Sequence, residues 1–233
     1  DLTKSNPPPF RFRVRFICFN TVYHIYRQKC FDFLTKDLHI STLVREYVND
    51  SGDYFSDIAV GPMAHGSLTF GVTTLEMAAA FACFGNGGRY YEPYSYYKVT
   101  DRHGNIVLDN RSNQPQQSIK RETASSMLSM LTKAVTQSSG TGYGSYISRF
   151  QTFAKTGTTS DNCDKWYCGG TPHYVTAVWY GFNVPSDLRT GSSNPAKTVF
   201  YSVFSKIHQN LPVKTFDQTE TAVENYMAMS QEG

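Results

Sequence analysis

The sequence predicts a domain built from both helices and strands, and three stretches carry that expectation. Residues 73–87 hold Leu75, Met77, Ala78, Ala79, Ala80, Phe81, Ala82 and Phe84 with almost no polar face, the pattern of a buried helix. Residues 120–137 place Ala124, Met127, Leu128, Leu131, Ala134 and Val135 three or four apart, which is an amphipathic helix with Gly140 after its end. Residues 153–159, Phe-Ala-Lys-Thr-Gly-Thr-Thr, start apolar and finish in hydroxyl residues around a glycine. That order reads as the buried start and open edge of a strand.

The remaining elements follow from similar signals. Asn6-Pro-Pro-Pro9 makes a stiff, extended leader. Phe10, Phe12, Val14 and Phe16 then alternate with Arg11, Arg13 and Arg15, a period of two that predicts a half-buried strand. In residues 20–36 the apolar positions Val22, Ile25, Tyr26, Cys30, Phe33 and Leu34 recur at helical spacing. Residues 37–72 read as a loop-rich connection, with turns at Asp50-Ser-Gly-Asp53 and Gly61-Pro62. Thr73 or Thr74 can cap the apolar helix, with Glu76 in its first turn, and Gly85-Asn-Gly-Gly88 ends it. Residues 92–110 form a hairpin about Asp101-Arg-His-Gly-Asn105, with Ser95 inside its first strand. Residues 174–183 make a strand expected to pair with the Lys155 strand across a connection over 161–172. Trp166 and Trp179 are expected in the core, and Asp161 and Asp164 in turns. Asn194 caps a last helix with Pro195 at its first position and Val199, Phe200, Val203, Phe204 and Ile207 as its buried face. The tail, residues 213–233, is acidic by count and expected to be mobile.

Composition narrows the function classes. The 233 residues are 40% hydrophobic with a mean hydropathy of −0.40, as in an ordinary globular chain. A net charge of +3 implies no nucleic-acid partner. No apolar run approaches the ~18 residues of a membrane span, and no secretory signal stands at the N-terminus. An exported or membrane-tethered parent is therefore expected to need further, upstream sequence. Five cysteines, Cys18, Cys30, Cys83, Cys163 and Cys168, leave one unpaired. Cys163 and Cys168 would lie roughly 16 Å apart along a strand, so they can pair only across a tight turn. Neither a metal site nor a disulfide framework is supported, and no cofactor is expected.

The chemistry concentrates at Lys155-Thr156-Gly157-Thr158. Lys155 brings a compact cation with three donors. Thr156 and Thr158, two apart, point the same way along a strand, while Gly157 leaves the other face bare. Such a face is expected to hold a carboxylate with the Thr hydroxyls and Lys155 together on it, while the bare glycine leaves room for an acyl group. A strand edge of this kind can also pair with an extended peptide. The bland alternative is an exposed strand end with a solvated lysine.

The flanks favour the functional reading. The run from Lys155 through Thr159-Ser-Asp-Asn-Cys-Asp-Lys-Trp-Tyr, Gly170-Thr-Pro172 and the valine-rich segment to Asn183 resembles the transpeptidase domain of class A penicillin-binding proteins. Gly66-Ser-Leu-Thr-Phe-Gly-Val-Thr-Thr-Leu-Glu-Met through Pro93 resembles it independently, and Ser139-Gly-Thr-Gly142 fits the short loop before the Lys-Thr-Gly strand. The resemblance covers most of residues 20–212, leaving 1–19 as an atypical leader. It implies an α+β fold, the serine β-lactamase/D,D-transpeptidase-like domain in its later part, with a mainly antiparallel sheet flanked by helices.

By the same resemblance the function is D,D-transpeptidation in peptidoglycan cross-linking. The partners are stem peptides ending in D-Ala-D-Ala, with β-lactams as mimics, on the extracytoplasmic face of the bacterial membrane. Lys155 and Asn20 would be catalytic, and Thr156, Gly157 and Thr158 substrate-binding. Cys18 stands where the family's Ser-x-Asn has its serine. A thiol is a poor proton relay, so Cys18 also reads as a small buried hydrophobe. Ser95-Tyr-Tyr-Lys98 is the only Ser-x-x-Lys in the chain. A working pair needs both side chains on one helix face, so Ser95 on a strand is a decoy. The expectation is a piece of a class A penicillin-binding protein without its nucleophile, inactive alone. A degenerate stem-binding module and a β-lactamase or carboxypeptidase of the same fold are the alternatives.

Overall fold

A computed structural model describes residues 26–217. The alternating segment at 10–16, Cys18, Asn20 and the tail from residue 218 lie outside the described residues. The chain divides into two units, one ending at Gly71 and one beginning at Val72.

In the first unit residues 26–32 are α-helical (α1) and Phe33–Asp37 continue as a π-helical turn. Phe31, Leu38, Ile40 and Leu43 are buried beside it. A two-stranded hairpin, β1 (Tyr47–Val48) with β2 (Tyr54–Phe55), turns through Asp50-Ser-Gly-Asp53, where the Asn49 side-chain oxygen accepts from the Ser51 and Asp53 amides. Asp57 is buried, and its carboxylate accepts from the Val44 amide, the Thr69 amide and the Thr69 hydroxyl, each at 2.8 Å. Three donors make a buried charge tolerable there. Gly61-Pro62 is not the expected turn: both lie in a short helix, α2 (Val60–His65). A proline is tolerated in a first helical turn because its missing N–H has no intrahelical partner there.

The second unit opens with α3 (Thr74–Gly85). Thr73 caps it, and the Glu76 carboxylate returns to the Thr73 amide in a reciprocal capping box. Its buried side is Ala79, Ala80 and Cys83, while Leu75 is 60% exposed, so the helix is not buried all round. Next come β3 (Arg89–Tyr90), the hairpin β4 (Lys98–Thr100) and β5 (Ile106–Asp109), and β6 (Gln116–Gln117), which pairs with β3. The hairpin is shorter than expected, so Ser95 precedes its first strand. Helix α4 (Arg121–Thr136) buries Ala124, Leu128, Leu131 and Val135 of its expected stripe, together with Ser125.

Among the described residues the sheet at the centre is antiparallel and three-stranded, in the order β7 (Phe153–Thr158), β8 (Asp164–Gly170), β9 (Val175–Gly181). This corrects the expected pairing. The Lys155 strand and the 174–183 strand do not touch, because most of the expected connection is itself the middle strand. β8 escaped notice because it is buried on both sides and ends in two glycines, so no alternation marks it. Those glycines are obligatory. A Cβ on Gly169 would lie 2.1 Å from the Phe153 carbonyl oxygen, and one on Gly170 would lie 2.2 Å from that of Tyr174.

Helices cover both faces. Phe153 packs with Leu128 and Leu131 of α4, flanked by Phe81 and Phe84 of α3 and Val175 of β9. On the opposite face Ala154 and Tyr167 pack with Ala196, Phe200 and Phe204 of α5 (Pro195–Ile207). Asn194 caps α5, accepting from the Lys197 amide, with Pro195 first in the helix. Val199, Val203 and Ile207 are nearly half exposed, so only part of its expected face is buried. The tryptophans are less buried than expected too. Trp166 is half-buried, and Trp179 is exposed with its indole N–H donated to Asp164 at 2.7 Å. Asp164 thus opens a strand rather than sitting in a turn. The described start of the tail lies down: Phe216 packs on Phe153 at 5.5 Å between ring centroids, and Asp217 meets Arg121. Cys30, Cys83, Cys163 and Cys168 are all free thiols.

A histidine closes the α5 side. His208 is 2% exposed, and its Nδ1–H donates to the Phe204 carbonyl at 2.8 Å. In the neutral imidazole its Nε2 then accepts from the Thr171 hydroxyl at 2.7 Å. Burial first, and His173 nearby second, pull its pKa below the ordinary value, while the Phe204 carbonyl acts the other way. A lowered folded pKa means stability fully present above the unfolded imidazole pKa of about 6.5 and lost as pH falls through the folded value. Urea unfolding between pH 8 and 5 is expected to show this loss, and His208→Gln to flatten it. Gly169→Ala is expected to destabilise by about 3 kcal/mol, the upper end for overpacking, as a lowered urea midpoint.

Candidate functional site

The site grows from β7. Phe153 and Ala154 at its start are completely buried, one on each face of the sheet, and anchor the strand. The strand then emerges: Lys155 and Thr158 are exposed, and Thr156 and Gly157 half-buried. Among the described residues β7 is an outer strand, paired on one side only, with β8.

Pairing register assigns the faces. Thr156 lies opposite Tyr167 and Thr158 opposite Lys165, so both hydroxyls stand on the α5 side of the sheet. Lys155 lies opposite Cys168 and Gly157 opposite Trp166, on the other side. A single face does not hold the lysine and the threonines together. The lysine stem instead folds back along the strand, and Nζ donates to the Thr156 carbonyl oxygen at 2.8 Å. Gly157 has a packing reason to be glycine, since a Cβ there would come within 3.0 Å of the Trp166 Cβ. Trp166 thus fills the space that the missing side chain leaves.

One participant was not singled out in the sequence. The Thr156 hydroxyl is 2.8 Å from that of Thr141, fifteen residues earlier. Thr141 belongs to Ser139-Gly-Thr-Gly142, and this loop is held tightly. The Gly142 amide donates to Ala134, the Gly140 amide donates to Gln137, and a Cβ on Gly140 would sit 2.2 Å from the Ala134 carbonyl oxygen. Lys197 at the start of α5 donates to the Tyr143 carbonyl at 3.1 Å. Beneath, Ser145 bonds the buried Tyr167 hydroxyl, whose pKa burial pushes up to about 12. The only signal for Thr141 was its place in the motif loop.

The other sequence candidates sit elsewhere. Ser95 is exposed on an irregular segment and Lys98 begins β4, so no helical turn joins them. The thiols of this unit are poorly placed to serve as nucleophiles, because each has a raised pKa. Burial pushes Cys83 up to about 11 and Cys168 up to about 12, and Cys163 is raised by desolvation and then by Asp161, Asp164 and Asp187. Among the described residues no cluster of His, Cys, Asp and Glu is arranged to hold a metal, and no helix is long and apolar enough to cross a membrane.

An outer strand carrying Lys-Thr-Gly-Thr, braced by a Gly-Thr-Gly loop and backed by helices, has counterparts. Residues 38–205 match the penicillin binding protein transpeptidase domain. The chain belongs to the penicillin-binding protein transpeptidase family. Penicillin-binding protein 1A of Clostridium acetobutylicum is 37% identical over 147 residues, which are 63% of this chain and 18% of that protein. Penicillin-binding protein 1A of Clostridium tetani is 29% identical over 188 residues, 77% of this chain and 24% of its own length. Among solved structures, PonA1 from Mycobacterium tuberculosis in complex with penicillin V superposes with a TM-score of 0.58 at 20% identity. The match covers 81% of this chain and 52% of that one. The chain thus spans about a fifth of the length of these penicillin-binding proteins 1A. The matched part of this transpeptidase domain contains the central sheet, the Thr141 loop and nearly all of α5.

Proposed function

We propose that this chain supplies the carboxylate-binding wall of a peptidoglycan D,D-transpeptidase site. In this reading Lys155, Thr156 and Thr158 receive the terminal carboxylate of a D-Ala-D-Ala stem, or the matching carboxylate of a β-lactam such as the penicillin V bound by PonA1. The observation that carries it is the outer strand β7, where the Lys155 ammonium reaches the Thr156 carbonyl and the Thr156 hydroxyl meets Thr141. An ammonium with hydroxyl donors beside it suits a carboxylate, because hydrogen bonds to an ionised acceptor are about twice as strong as neutral ones.

The family's reaction is serine acyl transfer. The serine oxygen attacks the carbonyl carbon of the penultimate D-Ala, its proton leaves on the amine of the departing D-Ala, and an ester forms. A neighbouring stem amine then attacks the ester, the new amide forms, and the serine regains a proton. The carboxylate wall takes no part in bond making; it fixes the scissile bond against the nucleophile. Ser95 and Lys98 lack the geometry of that nucleophile, so the chain by itself binds and does not turn over. Asn20 would hold the stem's backbone amide, with Cys18 beside it in place of the family serine. The reaction belongs on the extracytoplasmic face of the membrane, where peptidoglycan stems are found.

The hydroxyl pair sharpens the reading. Between two hydroxyls only one proton lies in the bond. In the structure Thr156 donates to Thr141, which leaves no Thr156 proton for a ligand; if the bond turns round and Thr141 donates, the Thr156 proton is free. Carboxylate binding therefore selects the second arrangement and makes Thr141 a supporting donor.

Titration with an N-acetylated tripeptide ending in D-Ala-D-Ala is expected to shift the amides of residues 155–158, and intact mass after β-lactam treatment to show no adduct. Absent shifts overturn stem binding, and a stable adduct or turnover overturns the inactivity of the chain. Thr156→Val is expected to weaken the peptide about tenfold, the loss of a bond to a charged acceptor. Thr141→Val is expected to cost about fivefold, and Thr141→Ser little.

A further inference from the structure

Beyond the strand itself, the turn that follows it is held by a segment from far along the chain. Residues 159–164 lead from β7 into β8. Within the turn the Thr159 hydroxyl accepts from the Cys163 amide at 3.1 Å and the Asp164 amide at 3.0 Å, and the Asn162 amide donates to the Thr159 carbonyl. These bonds close the turn but leave Asn162 at its tip in the left-handed region, with φ of 54°. Asparagine takes up that conformation more readily than other non-glycine residues, and here its surroundings hold it there.

The surroundings are the loop that leaves β9. Residues 182–193 come back across the β8 end of the turn before α5 begins. The Leu188 amide donates to the Asn162 carbonyl at 3.1 Å, and the Asn162 side-chain amide donates to Asp187 Oδ1 at 2.7 Å. The same Oδ1 accepts from the Arg189 amide at 3.0 Å, and Arg189 is itself left-handed, with φ of 52°. One carboxylate oxygen therefore holds two left-handed residues, one in each segment. Further along, Lys165 is 5% exposed and donates its Nζ to the Gly191 carbonyl at 3.1 Å, and Asn194 donates to the Trp166 carbonyl at 3.1 Å. The loop is thus tied to three places in residues 162–166.

We infer that Asp187 is a positioning residue for the stem-binding strand, acting through Asn162 to fix the open end of Thr156-Gly157-Thr158. The inference rests on the stem-binding reading of β7. The path is short. Thr158, the last residue of β7, pairs with Lys165, and Lys165 is held by Gly191. Thr159, next in sequence, carries the bonds that close the turn. A turn released from Asp187 relaxes Asn162 out of the left-handed region, and the Thr158 hydroxyl loses its fixed place relative to Thr156. The Asp187 carboxyl is held below the usual carboxylate range, first by the Arg189 amide and then by Asn162, so the clamp is ionised at neutral pH.

The test compares the full chain with Asp187→Ala and Asp187→Asn. The asparagine retains an oxygen that can accept from both donors. Asp187→Ala is expected to raise hydrogen exchange at the amides of Asn162, Cys163, Asp164 and Leu188, with Tyr167 and Cys168 unchanged and the melting temperature within a degree or two. Affinity for the acetylated D-Ala-D-Ala tripeptide is expected to fall about fivefold, the worth of roughly one hydrogen bond. Asp187→Asn should restore most of both. Unchanged exchange at the turn overturns the clamp. A looser turn with unchanged affinity, or an asparagine variant as weak as the alanine one, overturns the positioning role. A wild-type chain that binds no tripeptide overturns the stem-binding reading and the substrate role of Asp187 together, while exchange at the turn still decides whether the clamp exists.

Discussion

The contact of β7 with Gly169 governs what lies around it. The Phe153 carbonyl and the Ala154 side chain press so close to Gly169 that any Cβ there would overlap both. That closeness lets Phe153 and Ala154 be completely buried on opposite faces, one under α3 and α4, the other under α5. Two buried anchors at one end make β7 a rigid arm whose other end can be polar. Lys155 to Thr158 then project from a fixed base rather than from a loop. Preorganisation of this sort is what a recognition strand needs, since a donor that must first be ordered loses part of its binding energy to that ordering.

The polar end is braced from both sides by residues remote in sequence. The Gly-Thr-Gly loop reaches Thr156, and the loop after β9 reaches the turn beyond Thr158. Each brace depends on backbone that ordinary residues take up reluctantly: Gly140 packed against the Ala134 carbonyl, and Asn162 and Arg189 in left-handed conformation. Strain placed at the rim of a candidate site and compensated by the packed body is the usual distribution in folded domains.

What could be read in advance follows from where each signal resides. The α3 capping box, the α4 stripe and the Asn194-Pro195 start of α5 are local, each set by residues three or four apart, and each stands as expected. β8 was missed because Asp164, Lys165, Cys168 and two glycines look like a turn, and burial on both faces erases the period of two. Val199, Val203 and Ile207 have helical spacing, but spacing cannot tell how wide a face the sheet will cover. Lys155 and the threonines were expected on one face, yet neighbours on a strand alternate, and only the length of the lysine stem brings its ammonium back toward Thr156. Thr141 and Asp187 could not be read as supports at all, since their partners are 15 and 25 residues away and only the folded register brings them together.

The division of labour across the chain has a chemical reason. Binding a carboxylate calls for donors on a rigid edge, and a β-strand provides them at fixed spacing. Activating a serine calls for a lysine one helical turn away, because only there do side chains three residues apart meet. The one Ser-x-x-Lys in this sequence spans an irregular segment and the first residue of β4, where that meeting does not occur. Burial raises the pKa of the Cys83 and Cys168 thiols, and desolvation and nearby carboxylates raise that of Cys163, which disfavours the thiolate at each. On the proposed reading, the second unit holds an acyl donor and the attack on it comes from elsewhere. Since effective molarity depends on how firmly the donor is held, on that reading the rigidity of β7 would contribute to the rate separately from the nucleophile.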